Sequence, residues 1–159
     1  MLSYDRVLIA VDGSRDAEWA FNKAVETAKR NEAALYVVHI IDGRSYADIM
    51  TEDRPDIGEA ESYSQKLLAG YKELAVSSGL SDIEVISDVG SPDILIPKKI
   101  AVEVAADLII CGSEGMNAVE RFILGSTSES IVRHAKCDVL VVRTETVPDD
   151  FEPIVAVHQ

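Results

Sequence analysis

Apolar residues in this chain fall into two kinds of segment that alternate from end to end. One kind is a short run of adjacent apolar side chains. Arg6 to Val11, Ala34 to Ile41, Asp107 to Cys111 and Val139 to Val142 are of this kind, and Ile83 to Val89 alternates apolar with polar. Unbroken apolar runs predict strands covered on both faces, as in a parallel sheet. The other kind carries helical period. Ala17, Ala20, Phe21, Ala24, Val25 and Ala28 share one helix face, with Ser14 as the expected N-cap. Ala60, Tyr63, Leu67, Tyr71, Leu74 and Ala75 repeat the pattern between Glu59 and Ser78, and Gly79 fits the residue just past the helix end.

Ser91-Pro92 announces a third helix. Pro97 inside it leaves two readings: a kink, or a short turn followed by a helix that starts at Pro97. Thr127 to His134 forms the last helix. The resulting order, β-α-β-α-β-α-β-α-β, predicts a doubly wound α/β fold with parallel strands and right-handed crossovers. Residues 42–57 read as a long polar connection. The tail, 144–159, ends in an apolar Ile154-Val155-Ala156-Val157 that suits either an edge strand or a contact with a partner subunit.

Composition narrows the function. At 159 residues the chain is expected to be one domain, 1–159, with its core in 4–143. A formal net charge of −13 disfavours nucleic acid and anionic membranes as partners. No apolar run approaches the roughly 20 residues that span a bilayer, and no secretory signal opens the chain, so a cytoplasmic location is expected. Cys111 and Cys137 read as core thiols, and His39, His134 and His158 lack metal-ligand spacing.

The candidate chemistry lies where strands end. In an open α/β sheet ligands collect at the carboxyl ends of the strands, where strand order reverses. The first strand delivers Asp12-Gly13-Ser14, and the fourth delivers Gly112-Ser113-Glu114-Gly115, followed after nine residues by Gly125-Ser126. A strand that empties into glycines and then into a helix N-terminus offers bare backbone N–H groups to an anion. Gly112 lets ligand atoms approach the backbone. The hydroxyls of Ser126, Thr127 and Ser128 add donors. Ser126 and Glu129 also read as a Ser-x-x-Glu capping box, which accounts for both residues without any ligand. Neither a phosphate-loop lysine nor Gly-x-Gly-x-x-Gly is present.

The spacing Gly112-x₂-Gly115-x₉-Gly125-Ser126 resembles the nucleotide motif of the universal stress protein family. The flanks resemble it as well: Val7-Leu-Ile-Ala-Val-Asp-Gly-Ser14, Gly90-Ser-Pro92, Ala106 to Gly112, and Ser128 to Val142. The resemblance implies strand order 3-2-1-4-5, a homodimer, and ATP bound with Mg²⁺. It places Val11 and Asp12 against the base and ribose, and Ile40 on the adenine. It puts Cys111 and Gly112 on the ribose side and Gly115 at the phosphates, with Gly125, Ser126, Thr127 and Ser128 cradling them. Read without the family, Asp12 is a turn residue before it is a ligand, and Ile40 is a core or strand-end residue.

Three departures from the family pattern stand out. Glu114 sits between the motif glycines, where it either weakens triphosphate binding or helps hold a metal ion. Asp138 replaces a proline at the entry to the last strand, and Pro97 is unusual. Arg121 is either a phosphate neutraliser or a solvated or dimer-contact residue. No general base or nucleophile pair is evident, and no histidine is expected in either wall of the cleft.

The expected function is thus an ATP-binding regulatory module of the stress response. The alternatives are a slow Mg²⁺-dependent ATPase, or a dimeric interaction protein that needs no nucleotide. Dimerisation is expected through the apolar fifth strand, whose open edge invites pairing across a two-fold axis.

Overall fold

The structure, a computed structural model, describes residues 2–42, 57–113 and 124–155. Its elements in chain order are β1 (Arg6–Ala10), α1 (Arg15–Asn31), β2 (Ala34–Asp42), α2 (Ile57–Ser77), β3 (Ile83–Gly90) and α3 (Pro92–Leu95). A π-helical turn, Ile96–Ile100, joins α3 to α4 (Ala101–Glu103). There follow β4 (Leu108–Gly112), α5 (Ser126–His134), β5 (Asp138–Val142) and a 3-10 turn, Thr144–Thr146. All five strands are parallel, in the order β3-β2-β1-β4-β5. The order reverses between β1 and β4, so the switch point lies between their carboxyl ends.

Strand alternation divides the core in two. Val7, Ile9 and Val11 point to the face covered by α1 and α2, where they meet Phe21, Leu67 and Tyr71. Leu8, Val38, Ile40 and Cys111 point to the other face, against Ile96, Ile100 and Ile131. All six residues of the α1 face read from the sequence are buried. The Ser14 hydroxyl caps α1 by accepting the Ala17 N–H at 3.1 Å. Gly79, at φ +105°, turns the chain after α2, and the Leu80 N–H reaches back to the Ala75 carbonyl at 3.1 Å.

Pro97 neither breaks the helix nor starts one. It lies buried within the wider π turn, which tolerates a missing N–H, and the Ala101 N–H reaches the Ile96 carbonyl.

As far as Val155, the tail forms no edge strand. Residues 147–155 run back over α1, where the Arg15 guanidinium donates to the carbonyls of Pro148 at 2.7 Å and Phe151 at 3.1 Å. The Trp19 and Phe151 rings meet edge to face, 5.1 Å between centroids. Val155 packs on the Gly70 backbone so closely that a Cβ there would stand 2.9 Å from its Cγ1. Ala156 and Val157 lie outside the described residues. At the opposite end of the sheet, Asp138 has a structural role: its carboxylate accepts the Tyr4 hydroxyl at 2.8 Å.

Candidate functional site

Two strand ends meet at the switch point. Pairing of Val7 with Leu108 and Ile9 with Ile110 brings the Asp12 turn beside the Gly112 end. The Val11 N–H donates to the Val38 carbonyl at 3.0 Å, the last tie before the chain leaves the sheet. The Asp12 carboxylate then accepts the Ser14 N–H at 3.0 Å, a local turn that leads into the α1 cap. Gly13 takes φ +85°, and a Cβ there would collide with the Tyr63 hydroxyl. Glycine is therefore needed twice over, for its conformation and for the close approach of Tyr63.

The second wall is built from Gly112, Ser113 and the start of α5. Ser113 is 2% exposed. Its N–H donates to the Val142 carbonyl at 2.9 Å, and its carbonyl accepts the Gly125 N–H at 2.9 Å. The Ser113 hydroxyl also meets Thr144, accepting its N–H at 3.2 Å with the two hydroxyl oxygens 3.1 Å apart. These bonds fix both ends of the glycine motif. Gly115, Glu114 and Arg121 lie outside the described residues.

The capping box is not formed. The N-cap of α5 is Gly125, and Ser126 is already helical. One residue inside the helix, the Ser126 hydroxyl is too far along to cap it. The Glu129 N–H instead reaches the Gly125 carbonyl at 2.9 Å, and the Glu129 carboxylate pairs with Arg133 at 2.8 Å. Among the described residues no side chain caps the first backbone N–H groups of α5, as an anion site requires.

The three hydroxyls of α5 differ. Ser126 is exposed. Thr127 donates to an Asp93 carboxylate oxygen at 2.6 Å, and Ser128 donates to the Gly112 carbonyl at 2.5 Å. Ser128 thus ties the helix to the strand end. Val11 and Ile40 face opposite sides of the sheet, at 5% and 8% exposure, so they do not form one surface. Cys111 is buried next to Gly112, and burial pushes its thiol up to about 11 against an opposing hydrogen bond from Ser128. Such a thiol is protonated and unreactive at neutral pH.

Sequence reasoning missed a polar chain behind the Asp12 wall. His39 is 8% exposed and holds the Ser64 hydroxyl at 2.7 Å through Nδ1, and Ser64 in turn meets the Ser87 hydroxyl at 2.8 Å. The Tyr63 ring stands edge-on to His39, 6.0 Å between centroids. Burial lowers the His39 pKa, opposed by the Asp12 charge. His39 belongs to β2, so it stands behind the Asp12 wall rather than in either wall. The only sequence signal was a polar residue inside an otherwise apolar strand. No described helix is long and apolar enough to cross a membrane.

Comparison with known proteins extends the geometry. The model of the universal stress protein family matches residues 3–143. A Staphylococcus haemolyticus protein named as a universal stress protein is 56% identical over 156 residues, covering 98% of this chain and 94% of its own. A solved universal stress protein in complex with cAMP is 27% identical at a TM-score of 0.62, covering 89% of this chain and 98% of its own. The universal stress protein UspA from Lactobacillus plantarum shares the fold, with a TM-score of 0.77 at 24% identity, covering 90% of this chain and all of its own. Strand order, glycine spacing and a match from residue 3 to residue 143 agree, and this chain belongs to the universal stress protein family.

Proposed function

We propose that this protein is an adenine-nucleotide-binding regulatory module, with ATP as its nucleotide. The observation that carries the reading is the meeting of two ligand-ready strand ends, Asp12-Gly13 and Gly112, beside the uncapped N-terminus of α5. Asp12 would stand at the ribose, with Ile40 and Cys111 behind the base and ribose on one face of the sheet and Val11, whose side chain faces the other way, meeting them only through its backbone. Gly112 would line the ribose side, and Gly115, Gly125 and the start of α5 from Ser126 to Ser128 would serve the phosphates, Thr127 and Ser128 through backbone N–H groups because their hydroxyls are engaged within the protein. Mg²⁺ would arrive on the nucleotide phosphates and offset part of their charge, which matters in a protein of net charge −13. A family member solved with cAMP supports the choice of an adenine nucleotide.

The module would act in the cytoplasm as a homodimer paired through β5. That strand is an edge of the sheet, Leu140 on it is 42% exposed, and Val132 on the neighbouring α5 is 49% exposed. Nucleotide occupancy would then set the surface offered to a partner.

Thermal unfolding with and without Mg·ATP tests the reading. At about 100 times Kd, a ligand confined to the native state stabilises it by about 2.7 kcal/mol. A clear rise in Tm at millimolar Mg·ATP is expected. No shift would favour a nucleotide-independent interaction protein.

A further inference from the structure

Asp93 joins the two helices that close the site on the face of Ile40. It is the second residue of α3, just past β3 and the Gly90 turn. Its carboxylate accepts the Thr127 hydroxyl at 2.6 Å, and its backbone carbonyl accepts the Ser130 hydroxyl at 2.5 Å. Thr127 is the second residue of α5 and Ser130 lies one turn further along. The Asp93 carboxylate is thus pinned at the positive end of α5, where backbone N–H groups favour a negative charge. Among the described residues, the ion pairs Lys29–Glu26, Lys99–Asp88, Arg133–Glu129 and Arg143–Glu145 do not include Asp93. Among the described residues no basic side chain pairs with it.

We propose that Asp93 is a specificity-determining residue that sets how much phosphate charge the site accepts. This rests on the nucleotide reading above. A resident carboxylate at the helix end uses part of the field that would hold a phosphate, and it repels each further negative charge brought near. Its effect therefore grows with the charge of the ligand. Uncharged adenosine escapes it, AMP meets part of it, and metal-free ATP meets most of it. The bond to Thr127 holds the carboxylate in place, so the penalty belongs to the fold rather than to a mobile side chain.

The test compares wild type with Asp93→Asn by calorimetric titration of adenosine, AMP and ATP in Mg²⁺-free buffer. Asparagine keeps an acceptor for Thr127 and removes the charge. ATP should bind on the order of tenfold more tightly to the variant and AMP about threefold, with adenosine unchanged within about twofold. Excess Mg²⁺ or added salt should shrink the ATP gain. Asp93→Ser, which also keeps an oxygen acceptor, should move the three ligands in the same order. A purely structural role would shift all three ligands together, and that result, or an unchanged ATP affinity, overturns the proposal. Wild type that binds none of the three would instead remove the nucleotide reading, and this inference with it.

Discussion

The carboxylate of Glu18 accepts the backbone N–H of Val155 at 2.7 Å, across 137 positions of sequence. The Ile154 N–H donates to the other oxygen at 2.5 Å. Glu18 is 1% exposed, the one ionisable side chain among the buried residues of α1. A buried carboxylate is tolerated where hydrogen bonds replace its water, and the tail supplies them. Glu18→Gln presents an amide in place of one acceptor oxygen and should cost about 2 kcal/mol. Urea unfolding should show the loss, and proteolysis should cut first within 147–155.

Tyr71 gives the opposite prediction. It is fully buried, its ring tilted 53° against Phe21 at 4.6 Å between centroids, and its hydroxyl has no hydrogen-bond partner among the described residues. Burial, with the nearby Glu18 and Asp12 charges, drives its pKa upward, so the hydroxyl stays protonated at any working pH. Tyr71→Phe removes an unsatisfied polar group and keeps the ring. Stability should rise by about 1 kcal/mol, seen as a Tm increase of about 2–4 °C. A lower Tm would show that the hydroxyl is satisfied.

Gly13→Ala strains the Asp12 turn through its φ of +85° and its contact with the Tyr63 hydroxyl. The backbone share alone is on the order of 1–2 kcal/mol. Tyr63→Phe should recover only the part due to the hydroxyl. A double-mutant cycle by chemical denaturation measures that coupling, and strictly additive losses would exclude it.

His39 makes stability depend on pH. Burial lowers its pKa in the folded protein, so the fold favours the neutral ring. The unfolded chain then binds the proton more readily. The His39 contribution is complete above the unfolded value of about 6.5 and is lost as pH falls through the lower folded value. His39→Asn should remove this part of the acid-side slope in denaturation midpoints taken between about pH 7 and pH 5. An identical slope in the variant would contradict it.

Much of this was legible in the sequence because it is local. Ser14 caps the helix it precedes, Gly79 ends the one before it, four strands fall on apolar runs and β3 falls on the alternating segment. What was not legible depends on distant partners. Glu18 reads as solvent-facing until residues 154 and 155 fold onto it. Ser126 and Glu129 have capping-box spacing, yet α5 starts one residue earlier, with Ser128 tied to Gly112 and Thr127 to Asp93. The His39–Ser64–Ser87 chain joins three separate elements, and no local pattern announces it. The sites of Gly115 and Glu114 lie outside the described residues, so their expected roles remain those implied by the motif.

Equilibrium titration of Mg·ATP into wild type and Gly112→Val tests the central claim most directly. Gly112 ends β4 beside Val142, where a valine suits the strand but places a branched side chain at the ligand approach. Wild type should show saturable binding at one site per chain. The valine variant, folded by circular dichroism, should bind at least about tenfold more weakly, a loss of about 1.4 kcal/mol. Equal affinity in the two proteins, or no binding to wild type, would contradict the account.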